Sequence, residues 1–230
     1  MTTKTIVIVG ASRGIGKELV NQLARNKQHH IIALARNKQA LDEFHALANV
    51  QIMQIDLESL NLRQKLESLF KAIPQVDILI NKAGKLVNKA FLELTNEDLT
   101  TSYQVNTIGV MQTVQALIPK MLEKGAHIVN ISSMGGVQGS VKFPGLTAYS
   151  TSKAAVVSFT ELFAEEYKDS LIKMNCLCLG AVQTEMLEEA FPGYQAPLSA
   201  AEMAEFIVDF ALKGNRYFNG KIIPVSLSTP

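Results

Sequence analysis

The chain has 230 residues, 47% of them hydrophobic and 19% charged, with a formal net charge of +1. That length suits a single domain, 1–230, with a large core. The near-zero charge leaves no electrostatic footprint for nucleic acid or an anionic membrane surface, and no apolar run reaches the ~18 residues of a spanning helix.

Lys4 leads straight into Thr5-Ile-Val-Ile-Val9, with no secretory pattern before it. This β-branched, almost wholly apolar run has the character of a buried parallel strand. It meets Gly10-Ala-Ser-Arg-Gly14-Ile-Gly16 and then a helical pattern through Leu19, Val20 and Leu23. Glycines so spaced at a strand-to-helix turn bring backbone N–H groups and a helix N-terminus to one point, an anion site suited to a pyrophosphate. Gly10 is expected to make the tight turn, and Gly14 and Gly16 to permit close approach of ligand and strand. Ser12, Arg13 and Ile15, beside these glycines, are expected at the same cofactor.

The second apolar run, residues 30–35, ends at Arg36. An acidic residue there would bond an adenosine ribose and repel a 2′-phosphate. Arg36 in its place, with Arg13 in the first turn and no competing carboxylate in view, favours NADP(H) over NAD(H). His29 and His30 read as ends of elements rather than ligands. A helix is expected over 37–47 and a strand over 50–55, ending at Asp56-Leu57. Asp56 can accept from an adenine amino group or cap a helix over 58–72; Leu57 would lie against the same ligand.

A fourth strand, 76–80, runs into Asn81-Lys-Ala-Gly84, where Gly84 lets the backbone come close to a ligand and Asn81 and Ala83 are expected contacts. The next helix starts at a capping box, Thr95 to Asp98, and runs to about 124, with Pro119 near its end. Asn106 lies inside it. An asparagine in an apolar helix needs a hydrogen bond, so it is either an anchor or a link in a polar chain to a site. A fifth strand, 128–131, delivers Ser132-Ser133, followed by a glycine-rich loop.

A helix over 148–169 then opens on Tyr149 and Lys153. Tyrosine and lysine four apart share a helix face. A nearby cation is expected to lower the phenol pKa from ~10 and make it a usable acid and base. The sixth strand, 173–179, carries Cys176 and Cys178, too close in sequence to bridge, and no Cys/His cluster suggests a metal. A reduced, cytoplasmic setting is the expectation. Residues 180–184 turn over the sheet edge, 185–198 read as a mobile segment, and Ser199 to Glu202 is a capping box for a last helix, to about 212. The final strand, 221–225, contains Pro224 and is expected at an edge.

Seven strands alternating with six helical patterns imply an α/β fold, one doubly wound, mostly parallel sheet with helices on both faces. Ligands bind such sheets at the strand C-terminal ends, where Gly10, Arg36, Asp56, Asn81, Ser133 and Thr184 all fall.

With these residues in order, the chain resembles the classical short-chain dehydrogenase/reductase family, a Rossmann-like fold, from Val7 to about Met186. The resemblance implies that Tyr149 is the acid/base, that Ser133 holds and polarises the carbonyl, and that Lys153 lowers the tyrosine pKa and bonds the nicotinamide ribose. It implies that Asn106 holds a water leading to Lys153, and that Val182 and Thr184 fix the carboxamide. The implied reaction is NADP(H)-dependent hydride transfer between a carbonyl and an alcohol. Several features depart from the family: Lys82 replaces a second asparagine, Leu179-Gly180 replaces Pro-Gly, Ser133 and Tyr149 stand sixteen positions apart, a few more than in the family, and the C-terminal Val-Asp-Gly-Gly is missing. In relatives that last region often joins subunits, so a homo-oligomer is an open expectation. Residues 134–147 and 185–198, with Val137, Val141, Phe143, Leu146, Met186, Phe191 and Tyr194, suggest a moderately apolar carbonyl substrate, to which Lys142 could add a charge. Two other readings use fewer of these residues. A catalytically silent NADP(H)-binding regulator or scaffold needs no proton donor. Another dinucleotide- or SAM-using enzyme leaves the tyrosine–lysine pair idle.

Overall fold

A computed structural model describes residues 3–227. Among them are seven strands in one all-parallel sheet of order β3-β2-β1-β4-β5-β6-β7. The strands are β1 (Thr5–Val9), β2 (His30–Ala35), β3 (Val50–Gln54), β4 (Ile78–Asn81), β5 (Ala126–Ser133), β6 (Ile172–Leu179) and β7 (Ile222–Val225). The helices between them are α1 (Gly14–Leu23), α2 (Leu62–Leu69), α3 (Asn96–Tyr103), α4 (Gly109–Leu117), α5 (Thr147–Glu166), α6 (Glu185–Ala190) and α7 (Ala200–Lys213). The winding direction reverses between β1 and β4, which opens a crevice at their C-terminal ends.

Strand side chains alternate between two cores, one on each face of the sheet. Ile6 and Ile8 pack with Leu19 and Leu23 of α1 and Met203 and Ile207 of α7. Val7 and Val9 pack with Leu62 and Leu66 of α2, Val114 and Leu117 of α4 and Phe163 of α5. Burial on both faces explains why the strands read as continuous apolar runs. Both expected capping boxes form: Thr95 with Asp98 at α3, and Ser199 with Glu202 at α7. Pro224 lies in β7, at the sheet edge, where no further strand requires its missing N–H.

Three expected elements are corrected, and a fourth segment gains a helix. Residues 37–47 hold a 3-10 helix, Gln39–Ala46, rather than an α-helix. α2 is shorter than its pattern, because Asp56 accepts from the Glu58 N–H at 3.0 Å and closes a local turn instead of capping a helix. The long helix from Asn96 is broken by a π turn, Gln104–Ile108, and ends in a 3-10 turn at Pro119. The segment expected to be mobile carries α6, with Thr184 as its N-cap.

One buried polar cluster lies away from the crevice. His127, 1% exposed, meets the Ala211 carbonyl through Nδ1 at 2.9 Å, and its Nε2 accepts from the Asn175 amide at 3.1 Å. Burial pushes its pKa down to about 4.

Candidate active site

Two cavities meet at the crevice. A polar cleft of about 620 Å³ is lined by Gly10, Ser12, Arg13, Arg36, Asp56, Leu57 and Ala83 among others. An apolar pocket of about 630 Å³ is lined by Ser133, Tyr149 and Lys153, with Ile15, Val182 and Thr184 at one side. Lys82, Gly84, Leu86 and Met186 form the wall common to both.

The glycine turn fits a ligand that must approach backbone closely. Gly10 has φ +93°, a conformation that L side chains rarely adopt. A Cβ there would stand 2.6 Å from the Ala83 backbone. Gly14 is also left-handed, at φ +52°. Gly16 does not line either cavity; a Cβ on it would fall 1.9 Å from the Gly10 carbonyl, so its role is to seat α1 on the turn. A dinucleotide phosphate therefore finds backbone, a helix N-terminus and basic side chains in one place.

At the apolar pocket, β5 runs on to Ser133 and α5 begins two residues before Tyr149. The two elements are stitched together at the reactive turn. Ser132 donates to the Lys153 carbonyl at 2.9 Å, and Thr107 donates to the Ser152 carbonyl at 2.8 Å. Gly136 lies so close to α5 that a Cβ would meet the Ala154 nitrogen at 2.8 Å. The Lys153 ammonium is buried and donates to the Ile131 carbonyl at 2.8 Å. Burial lowers its pKa to about 8, with Lys82 adding to the effect.

The tyrosine departs from expectation. Its pKa is pushed up to about 12, because burial disfavours the phenolate more than a hydrogen bond from Ser133 favours it. Lys153 does not offset this: its Nζ lies 6.0 Å from the ring centroid and is spent on a carbonyl. Tyr149 is thus held as the neutral phenol.

Asn106 is buried in the π turn, a rare geometry found often at functional sites. Its Oδ1 accepts from the Lys85 N–H at 2.7 Å, and its Nδ2 donates to the Lys85 carbonyl and to Ser152 Oγ, both at 2.9 Å. Both donor hydrogens are used, so the amide anchors the segment after Gly84 to α5. Its oxygen still lies beside Lys153: a Cβ on Gly84 would meet that oxygen at 3.3 Å and Lys153 Nζ at 3.4 Å.

Asn81 is not brought to either cavity wall. Its side chain points between strands, donating to Asn130 Oδ1 at 2.9 Å, and Asn130 in turn donates to Thr160. Arg13 and Arg36 do reach the same cleft, but each meets a carboxylate that spacing could not reveal. α6 carries Glu189 across the cleft to a two-point ion pair with Arg13, and Glu58 lies 3.7 Å from Arg36. These pairs are exposed and worth little, so a phosphate dianion can displace them. Glu58, Lys85 and Glu189 are cleft residues the sequence did not single out. Lys142 turns back on its own loop, bonding the Gly135 and Val137 carbonyls and Ser140, instead of facing a substrate. Val137 is likewise absent from the pocket wall; Val141, Phe143, Leu146, Met186, Phe191 and Tyr194 are present.

A family model for short chain dehydrogenases matches residues 4–195. The chain belongs to the short-chain dehydrogenase family. Among its relatives, dehydrogenase/reductase SDR family member 6 of Xenopus laevis is 32% identical over 199 residues, covering 86% of this chain and 78% of the relative. Oxidoreductase UcpA of Salmonella typhimurium is 33% identical over 198 residues, covering 82% and 73%. A short chain dehydrogenase from Shigella flexneri, solved in complex with NADP, superposes with a TM-score of 0.87 over 97% of both chains at 24% identity, a likeness that concerns the fold. Among the described residues no helix is long and apolar enough to cross a membrane.

Proposed function

We propose that this short-chain dehydrogenase is an NADP(H)-dependent oxidoreductase that interconverts a carbonyl and an alcohol on a moderately apolar small molecule. The observation that carries the reading is the shared wall: a polar cleft with two arginines opens through it onto an apolar pocket that presents Ser133, Tyr149 and Lys153 together. The Shigella flexneri relative bound to NADP supports the choice of coenzyme. When bound, the coenzyme supplies or accepts the hydride.

The chain's residues supply position and proton. Gly10 and Ser12 would receive the coenzyme's diphosphate and Arg13 and Arg36 its 2′-phosphate, with Asp56 at the adenine edge and Leu57 and Ala83 alongside. Val182 and Thr184 orient the nicotinamide end. Ser133 holds the substrate oxygen, and Tyr149 delivers its proton there. A phenol raised to about 12 is protonated throughout the neutral range, which suits reduction. Lys153 stands at the turn below, where a ribose hydroxyl can draw its ammonium from the Ile131 carbonyl. Val141, Phe143, Leu146, Phe191 and Tyr194 exclude water and select apolar substituents.

A panel of aldehydes and ketones, followed by coenzyme absorbance with NADPH and NADH side by side, tests this reading. Turnover of apolar members, faster with NADPH, is the expected result. Binding of NADPH with no consumption across the panel would instead favour a nucleotide-holding scaffold.

A further inference from the structure

We propose that Lys82 contacts the diphosphate of the coenzyme at the point where the ligand passes from cleft to pocket. Lys82 lines both cavities. A dinucleotide with its adenosine in the cleft and its nicotinamide in the pocket crosses that wall at its diphosphate. The backbone fixes the position: the Lys82 N–H donates to the Val9 carbonyl at 3.0 Å, and the next residue, Ala83, lies against the Gly10 turn. The residue therefore starts beside the glycine turn, and it lines both cavities.

The charges around it leave an anion wanting. Arg13 from the glycine turn and Lys153 from α5 are positive, and Glu185 at the start of α6 is the one carboxylate that acts on Lys82. Glu185 does not approach within ion-pair distance, and among the described residues the Lys82 ammonium has no hydrogen bond or salt bridge. Burial lowers its pKa to about 8, so near neutral pH it is still mostly charged. A half-buried ammonium that faces both cavities and has no carboxylate within ion-pair distance is free to pair with a phosphate oxygen.

The inference rests on the coenzyme reading above. The test is equilibrium binding of NADPH and NADH by titration calorimetry at pH 7, with the wild-type chain, Lys82→Met, Lys82→Arg and Arg13→Ala. Because both coenzymes share the diphosphate, Lys82→Met weakens both by the same factor, about tenfold or more. Lys82→Arg keeps most of the affinity, while Arg13→Ala weakens NADPH far more than NADH. Thermal melting without coenzyme gives a second readout: Lys82→Met melts close to the wild-type temperature at pH 7, since no protein group pairs with the ammonium.

Loss of NADPH affinity alone in Lys82→Met would assign the lysine to the 2′-phosphate and overturn the proposal. Unchanged affinity for both, with a raised KM for carboxylated carbonyl substrates only, would assign it to the substrate and also overturn it. A melting temperature several degrees lower would show that the ammonium is paired within the protein. Should the wild-type chain bind neither coenzyme, the coenzyme reading fails first and this inference with it.

Discussion

The cleft and the pocket are nearly equal in volume and opposite in chemistry. The cleft gathers Arg13, Arg36, Asp56, Glu58, Lys85 and Glu189 around a turn of bare backbone. The pocket surrounds Ser133, Tyr149 and Lys153 with Val141, Phe143, Leu146, Met186, Leu187 and Phe191. In the cleft the charges are exposed and exchangeable, as the Arg13–Glu189 pair shows; such contacts select a ligand by charge and let it leave. In the pocket burial sets the properties of the groups. It raises Tyr149 to about 12 and lowers Lys153 to about 8. In the proposed function one region recognises and the other reacts, and substitutions should separate the two.

Apart from loss of the tyrosine hydroxyl itself, the largest effect is expected from Lys153→Met. Removing the ammonium beneath the tyrosine should lower kcat/KM by roughly 10²-fold or more, measured by NADPH consumption, with circular dichroism showing an intact fold. A loss below about threefold would remove Lys153 from the reacting region. A control comes from outside both cavities. His127 has a folded pKa of about 4 against 6.5 unfolded. The unfolded chain therefore binds more protons between those values, and stability falls as pH drops from 6.5 towards 4. The contribution is about 3 kcal/mol. Urea midpoints of the wild-type chain and His127→Gln should converge as pH falls through this window; parallel curves would contradict the assignment.

Smaller effects sharpen the recognition side. Arg13→Ala and Arg36→Ala should each weaken NADPH by about tenfold and leave NADH nearly unchanged, as read by fluorescence titration. Equal losses for both coenzymes would mean that neither arginine meets the 2′-phosphate. Phe191→Ser should raise KM for an apolar ketone roughly fivefold through lost burial without altering NADPH affinity.

The sheet is legible in the sequence because parallel strands buried on both faces leave unbroken apolar runs, and the meeting of Ser133, Tyr149 and Lys153 in one pocket because they lie on two consecutive elements. What stayed hidden depended on contacts distant in sequence. The partner of Arg13 is 176 residues away on α6, and no local pattern announces it. Asn81 read as a ligand because it ends a strand, but it faces Asn130 inside the sheet. The tyrosine pKa was misjudged because four-residue spacing fixes a shared helix face, whereas the ammonium's direction is set by the Ile131 carbonyl. Helix 58–72 was overextended because the Asp56 turn looks, in sequence, the same as a cap.

The central claim is that Tyr149 gives its proton to a carbonyl held beside the coenzyme. Single-turnover oxidation of NADPH by an apolar ketone, compared between wild type and Tyr149→Phe with coenzyme affinity measured in parallel, addresses it most directly. The account predicts a rate lower by about 10²–10⁴-fold in Tyr149→Phe, with NADPH affinity unchanged within about twofold. A variant that keeps most of its single-turnover rate would contradict it.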